Sequence, residues 1–333
     1  MTCMRIQKLD NSKDITSELE DFISIWNNES QTITQFSSGS TGPPKAIEIP
    51  KWKMEASAKM TGDFLDLDHC ESALLCMSTN YIGGKMMVVR SMRYDLTLYV
   101  TNVTRNPLKN LDHTIDFVAM VPLQVEETLE ENPEKLNLIK HLIIGGAPVS
   151  DELIEKIKNF NCNAYSTFGM TETVSHIALR KLKDKNEPYR VIGNTKLSTE
   201  NDCLVINSEE LKIKGLKTTD IVDLIDEKSF HWLGRADFVI NSGGVKIHPE
   251  EVERKISTLI NSTDFIISKI PDQKLGSKVI FIGKKQIEHK ILKQQIDKVL
   301  TKYERPKNYF FISSLIKTPS GKIDRNKTTA EIL

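Results

Sequence analysis

The chain has 333 residues, 39% of them hydrophobic and 27% charged, and its 45 basic and 45 acidic side chains cancel to a formal net charge of zero. That length buries a large core and allows two domains, while the balanced charge argues against a nucleic-acid binder relying on bulk positive potential. No apolar run approaches the length of a membrane span, the opening MTCMRIQKLDNSKD has no signal-peptide core, and Cys3, Cys70, Cys76, Cys162 and Cys203 form no CxxC pair, which together fit a reducing cytoplasm without a disulfide framework or zinc site.

In chain order, residues 14–28 place Ile15, Leu19, Phe22, Ile23 and Trp26 on one stripe, the mark of an amphipathic helix. TITQF and AIEIP read as short strands on either side of SSGSTGPPK at 37–45, and residues 51–64 read as a second helix. SALLCM, DFVAMV and HLII are short apolar runs, each ended by a turn, with helical stretches at 122–130 and 149–160 between them. Strands alternating with helices predict an α/β fold around a mostly parallel sheet. Residues 201–233 change to short antiparallel strands. Beyond Arg235, strands FVINSGG, FIISKI, VIFIGK and NYFFIS alternate with helices near 249–260 and 287–302, which predicts a separate small α+β domain. The boundary is placed at Asp237, giving domains 1–236 and 237–333.

SSGSTGPPK taken alone fits a flexible linker as well as a phosphate-gripping loop. In the second reading Gly39 and Gly42 let the backbone approach a polyphosphate, Ser37, Ser38, Ser40 and Thr41 donate hydroxyls, and Lys45 brings charge. It is not a Walker A loop, because two prolines precede Lys45 and alanine follows it. Further along stand GGAP at 145–148, YSTFGMTE at 165–172, TTD at 218–220, GRAD at 234–237, SGGVKIHPEEVE at 242–253 and TPSGKIDR at 318–325. Any one of these has a bland reading as a turn, a cap or a solvated tail.

In this order the motifs resemble the adenylate-forming superfamily, which includes acyl- and aryl-CoA ligases, firefly luciferase and peptide-synthetase adenylation domains. The resemblance runs from residue 37 to residue 325. It implies a large N-terminal α/β domain that binds ATP and the acyl group, and a small mobile α+β C-terminal lid. It also implies two half-reactions: a carboxylate attacks the α-phosphate of ATP to give an acyl-adenylate, and the thiol of coenzyme A then displaces AMP. By resemblance, the loop from Ser37 to Lys45 grips the phosphates, Thr171 touches them and Glu172 helps hold Mg²⁺. Tyr165, Phe168 and Gly169 with Gly145, Gly146 and Ala147 form the adenine slot, with Gly146 and Met170 also lining the acyl side. Asp220 takes the ribose hydroxyls with Arg235 nearby, and Lys322 bridges the reacting carboxylate and α-phosphate from the lid. Asp237 is the hinge, and Ser242, Gly243 and Gly244 face the site in the thiol step.

Two departures bear on the acid. The phosphate loop lies so near the start of this sequence that the resemblance leads one to expect most of the family's N-terminal subdomain to be lacking ahead of it. The segment after SALLCM reads STNYIGGKMMVVR, where many relatives carry a histidine or aromatic cluster. In one reading Met86, Met87, Val88 and Val89 are a core helix with Lys85 and Arg90 solvated. In the other Asn80, Tyr81 and Lys85 line the acyl pocket, and the cation selects a substrate with a second carboxylate. With NYIGGKMM in a compact chain, the resemblance is greatest to o-succinylbenzoate–CoA ligases of menaquinone synthesis. Small-molecule partners are therefore expected: a carboxylic acid, ATP and CoA. An aryl- or short-chain acyl-CoA ligase, a free-standing enzyme loading a carrier protein, and a silent nucleotide binder are the alternatives. The sequence sets no oligomeric state.

Overall fold

The computed structural model describes residues 4–10, 13–36, 46–260, 264–284, 289–318 and 323–333. The chain runs β1 (Ile6–Lys8), α1 (Lys13–Asn27), β2 (Thr32–Phe36), β3 (Ala46–Pro50), α2 (Lys51–Leu65), β4 (Ser72–Leu75), α3 (Ile82–Arg93), β5 (Thr97–Val100), β6 (Ile115–Met120), α4 (Pro122–Glu131), β7 (Ile139–Ile144), α5 (Asp151–Ile157) and β8 (Asn163–Gly169). It continues through β9 (His176–Lys181), β10 (Tyr189–Val191), β11 (Thr195–Glu200), β12 (Cys203–Ser208), β13 (Ile213–Asp226) and β14 (Ser229–Arg235). The last part holds β15 (Ile240–Ser242), β16 (Val245–Ile247), α6 (Pro249–Ile260), β17 (Phe265–Asp272), β18 (Gly276–Lys284), α7 (His289–Val299), β19 (Asn308–Ile312) and α8 (Arg325–Ala330).

Twelve strands form one sheet in the order β1-β5-β4-β6-β7-β8-β9-β10-β14-β13-β12-β11. The first six pair in parallel, and from β8 onward every pairing is antiparallel. The central parallel strands β4, β6 and β7 are largely apolar because both of their faces are covered. Phe117 and Ala119 of β6 point into one core with residues of α2 and α3. Val118 and Met120 point into the other, with Val125 of α4 and Leu153, Ile154 and Ile157 of α5. Buried Ile15, Leu19 and Phe22, with Ile23 and Trp26 packed beside them, add the α1 stripe to the first core. Burying a side chain such as Phe117 contributes about 1.5–3 kcal/mol each time.

Chain order leaves β4 for β5 on one side and then crosses to β6 on the other. Such a reversal opens a crevice at the carboxyl ends of the strands. Gln124 ties that crevice together. Its Oε1 accepts from the Val121 amide at 3.1 Å, and its Nε2 donates to Cys76 O and Thr104 O, both at 3.1 Å. Beside the large sheet, β2 and β3 form a two-stranded hairpin, and β15 to β19 form a second, five-stranded sheet.

Helix α6 joins this second sheet to the first by packing on β14 and α5. Lys246 and Asp202 pair at 3.1 Å across the junction, but both are exposed and such a pair contributes about 0–1 kcal/mol. Within the second unit, Arg325 of α8 is bidentate on Glu253 of α6, largely buried, and lies 5.0 Å from the Phe238 ring centroid. Breaking a pair of this kind costs about 3–5 kcal/mol. Glu250 turns its carboxylate against Gly234, where a Cβ would fall 2.6 Å from Oε2, and that oxygen is buried without a hydrogen bond among the described residues. Burial, with Arg325 opposing and Glu253 adding to it, pushes the Glu250 pKa up to about 7.

The Glu250 carboxyl thus keeps a proton in the folded chain at pH values where an unfolded chain has lost it. The stabilisation this brings is complete below pH ~4.5 and is lost as pH rises through about 7. In Glu250→Gln the difference in melting temperature from the parent should shift in favour of the variant between pH 5 and 8. Parallel pH profiles for the two proteins would contradict this placement of Glu250.

Candidate active site

The carboxyl ends of β4, β6, β7 and β8 lie side by side, and the segments that follow β4, β7 and β8 carry expected residues. After β4 come Asn80 and Tyr81, both exposed, the latter 59%. After β7 comes the run from Gly145 to Ala147, anchored by the Gly145 amide on Met120 O at 3.1 Å. Ser37, Ser38, Gly39, Ser40, Thr41, Gly42 and Lys45 lie outside the described residues, as does Lys322. The residues flanking the first group, Phe36 and Ala46, pair across the β2–β3 hairpin. Gln35 lies 3.4 Å from Asn80 O through Nε2 and accepts from Lys85 Nζ at 2.7 Å through Oε1. The ammonium of Lys85 therefore turns toward the hairpin, where burial lowers its pKa.

Strand β8 brings Tyr165 against Phe64 at 5.8 Å and Phe168 into a cluster with Tyr189 and Phe230. Gly169 allows the next turn to close over it, since a Cβ there would meet Ser175 O at 2.3 Å and His176 Cα at 2.5 Å. A single 3-10 turn, Thr171–Thr173, follows, with Glu172 exposed and Thr173 fully buried. Thr173 Oγ1 accepts from the Met170 amide at 3.0 Å and lies within donating reach of Ser175 O at 2.8 Å. Val174 then adopts φ 67° and ψ −54°, and the Ser175 amide donates to Thr173 O at 2.7 Å. This is a γ-turn of the rare, strained hand, centred on a β-branched residue.

Asp220 and Arg235 are direct partners in the β13–β14 register. Asp220 Oδ1 accepts from Trp232 Nε1 at 2.9 Å, and burial, opposed by that bond and by Arg235, raises the Asp220 pKa. Arg235 pairs with Asp237 at 2.7 Å. Ser242 pairs with Val245 across the β15–β16 turn, and Gly243 and Gly244 between them have φ of 59° and 84°. A two-residue hairpin loop of this hand needs positive φ at both positions, so the two glycines have a local structural reason.

Arg90 departs from the solvated reading. On α3 it falls four residues after Met86 and three after Met87, on the buried stripe, and it is 1% exposed. Its Nη2 donates to Ser175 Oγ at 3.1 Å, its Nε has no hydrogen-bond partner among the described residues, and no described carboxylate pairs with it. Burial lowers its pKa to about 9, which leaves the guanidinium charged at neutral pH. A desolvated cation without a counter-ion is costly unless an anion arrives. The signal was present in the sequence as apolar residues at i−3 and i−4. Ser175 and buried His176 were not anticipated.

A sheet reversing at β4, with turns and loops of this kind at its carboxyl edge and a small α+β unit after Arg235, is the architecture of adenylate-forming ligases. The profile of the AMP-binding enzyme family matches residues 5–217, and the chain belongs to that family of AMP-forming ligases. Among curated proteins it is 25% identical to the 2-succinylbenzoate–CoA ligase of Staphylococcus epidermidis, over 92% of this chain and 71% of the relative. The corresponding ligase of Listeria monocytogenes matches at the same identity and coverage. Among solved structures, the acyl-CoA synthetase (AMP-forming)/AMP-acid ligase II-like protein of Dyadobacter fermentans is 34% identical, with TM-score 0.63, covering 98% of this chain and 97% of that one. The o-succinylbenzoate coenzyme A synthetase of Bacillus subtilis, solved with ATP and magnesium, shares the fold at 20% identity and TM-score 0.77, covering 89% of this chain and 69% of its own.

Gly169→Ala must push β9 or the turn after β8 aside, because the added carbon meets backbone. The variant should fold with a lower melting temperature and lose at least about tenfold in acid-dependent pyrophosphate release. Unchanged kinetics would show that this close approach plays no part in the site.

Proposed function

We propose that the chain is an acid–thiol ligase that converts 2-succinylbenzoate, through its adenylate, to the CoA thioester. The observation that carries the choice of acid is Arg90. A substrate with one carboxylate to activate keeps a second, and a buried guanidinium with no described counter-ion is suited to receive it. This assigns to Arg90 the selecting charge that the sequence placed on Lys85, whose ammonium is already engaged by Gln35. Asn80 and Tyr81 are proposed to line the mouth of the same pocket, with Gly146 and Met170 on its inner side. The curated relatives support this choice of acid by name.

The remaining roles are those that the family resemblance implies. Ser37, Ser38, Gly39, Ser40, Thr41, Gly42 and Lys45 are proposed to hold the phosphates of ATP. Tyr165, Phe168 and Gly169 with Gly145, Gly146 and Ala147 bound the adenine, and Asp220, beside Arg235, accepts the ribose hydroxyls. Asp220 is well suited to this because its raised pKa makes its carboxylate a strong acceptor. Thr171 meets phosphate. Exposed Glu172 has no partner among the described residues, and no three described His, Cys, Asp or Glu side chains converge, so the residues present fit a hard cation that takes one carboxylate and completes its shell with phosphate and water. Mg²⁺, when bound there, would offset part of the phosphate charge.

Residues 237–333 are proposed to act as a lid turning about Asp237. In one position Lys322 lies between the reacting carboxylate and the α-phosphate. In the other Ser242, Gly243 and Gly244 face the thiol. The carboxylate oxygen bonds to the α-phosphorus as pyrophosphate leaves, and the thiol sulfur then bonds to the acyl carbon as AMP leaves.

Pyrophosphate release should be fastest with 2-succinylbenzoate when it is compared with benzoate and a medium-chain fatty acid. Arg90→Gln should raise its KM by about tenfold to a hundredfold. Activity with benzoate and none with the succinyl compound would overturn the choice of acid and leave family membership standing. Lys322→Ala should slow adenylation by about a hundredfold or more, yet slow thioester formation from supplied adenylate far less. Equal losses in both steps would refute the two-position lid.

A further inference from the structure

The polar groups behind Arg90 form a chain whose proton positions follow from counting donors and acceptors. Thr61 Oγ1 on α2 lies 3.0 Å from Ser57 O and 3.0 Å from His176 Nε2. A carbonyl only accepts, so the single hydroxyl proton of Thr61 goes to Ser57 O, and His176 must donate through Nε2. Burial first, and the charge of Arg90 second, holds the His176 pKa well below its usual value, so the ring is neutral and Nδ1 is a bare acceptor. That Nδ1 lies 3.4 Å from Ser175 Oγ, which is also 3.1 Å from Arg90 Nη2. A guanidinium only donates. Ser175 therefore accepts from Arg90 and gives its own proton to His176. Every link from Arg90 through Ser175, His176 and Thr61 to the Ser57 carbonyl has one polarity.

We propose that His176 is a positioning residue for Arg90: by taking up the hydroxyl proton of Ser175, it turns an oxygen lone pair toward Nη2 and fixes the plane of the guanidinium for the second carboxylate of the substrate. This rests on the assignment of that carboxylate to Arg90. Without the acceptor at Nδ1, the Ser175 hydroxyl can rotate its proton toward a cation that also donates, and the guanidinium loses its reference. The γ-turn at Val174 sets the backbone of Ser175, so the hydroxyl torsion is the freedom left for His176 to remove. A merely structural role, stitching α2 to β9 through Thr61, is the competing account, and it makes different demands on the two ring nitrogens.

The test compares His176→Leu, which removes both nitrogens, with His176→Asn, whose side-chain oxygen can sit where Nδ1 was but which cannot reach Thr61. Values of kcat and KM are measured for 2-succinylbenzoate, for ATP and for the two monocarboxylate analogues lacking one carboxylate or the other. His176→Leu should raise KM for the diacid about tenfold, the loss expected of a misdirected charge-assisted hydrogen bond. Its kcat, its KM for ATP and its kcat/KM for the analogue that is still activated should stay near the parent values. His176→Asn should restore the diacid KM despite a lower melting temperature. Should His176→Leu not fold, Ser175→Ala removes the same link and should raise the diacid KM alone. Equal shifts for diacid and analogue, or an Asn variant as impaired as Leu, would refute the positioning role. Arg90→Gln separates the layers. If it leaves the preference for the diacid intact, the substrate assignment fails. If it abolishes that preference while neither His176→Leu nor Ser175→Ala touches it, only the role of His176 fails.

Discussion

A buried guanidinium on α3, bonded among the described side chains to the Ser175 hydroxyl, sets the terms for everything around it. Arg90 is held in a medium where an isolated charge is expensive, and the fold spends cohesion elsewhere to keep it there. The two cores on either face of the parallel sheet supply that cohesion, and α3 is locked down by its run of Met86, Met87, Val88 and Val89. The strands also decide where the charge sits. Reversal of strand order at β4 opens the carboxyl edge, and Arg90 lies beneath the turn that closes this edge after β8.

Much of the fold was legible from periodicity alone. The stripe of Ile15, Leu19, Phe22, Ile23 and Trp26 announced α1 because a helix buries one side, and the short apolar runs announced parallel strands because both faces of such strands are covered. The small α+β unit was visible as a change of pattern after Arg235. The chemistry was legible only as a succession of motifs, since a glycine pair or a TTD has an ordinary local explanation. Gly243 and Gly244 do satisfy a hairpin, and TTD lies within the long strand β13, with Asp220 beside Arg235 in the register.

What could not be read was the interior arrangement of polar groups. Arginine is so seldom buried that the solvated reading of Arg90 was the natural one, although its apolar neighbours one turn earlier argued against it. His176 and Thr61 stand 115 residues apart in sequence, so no spacing rule joins them. Glu250 looked like one acid among several in HPEEVE. Only the approach of Gly234 reveals that it is sealed in, while neighbouring Glu253 takes the arginine.

The turn at Val174 has a consequence for how such a site fails. A β-branched residue held at positive φ opposes its own backbone angles, at about 1–3 kcal/mol, and its surroundings must overcome that resistance. The backbone that carries the Ser175 hydroxyl is thus kept in place under tension. When β9 loosens, this turn gains by springing back. On the role proposed for Arg90, discrimination between acids would then fade while the sheet beneath was still intact.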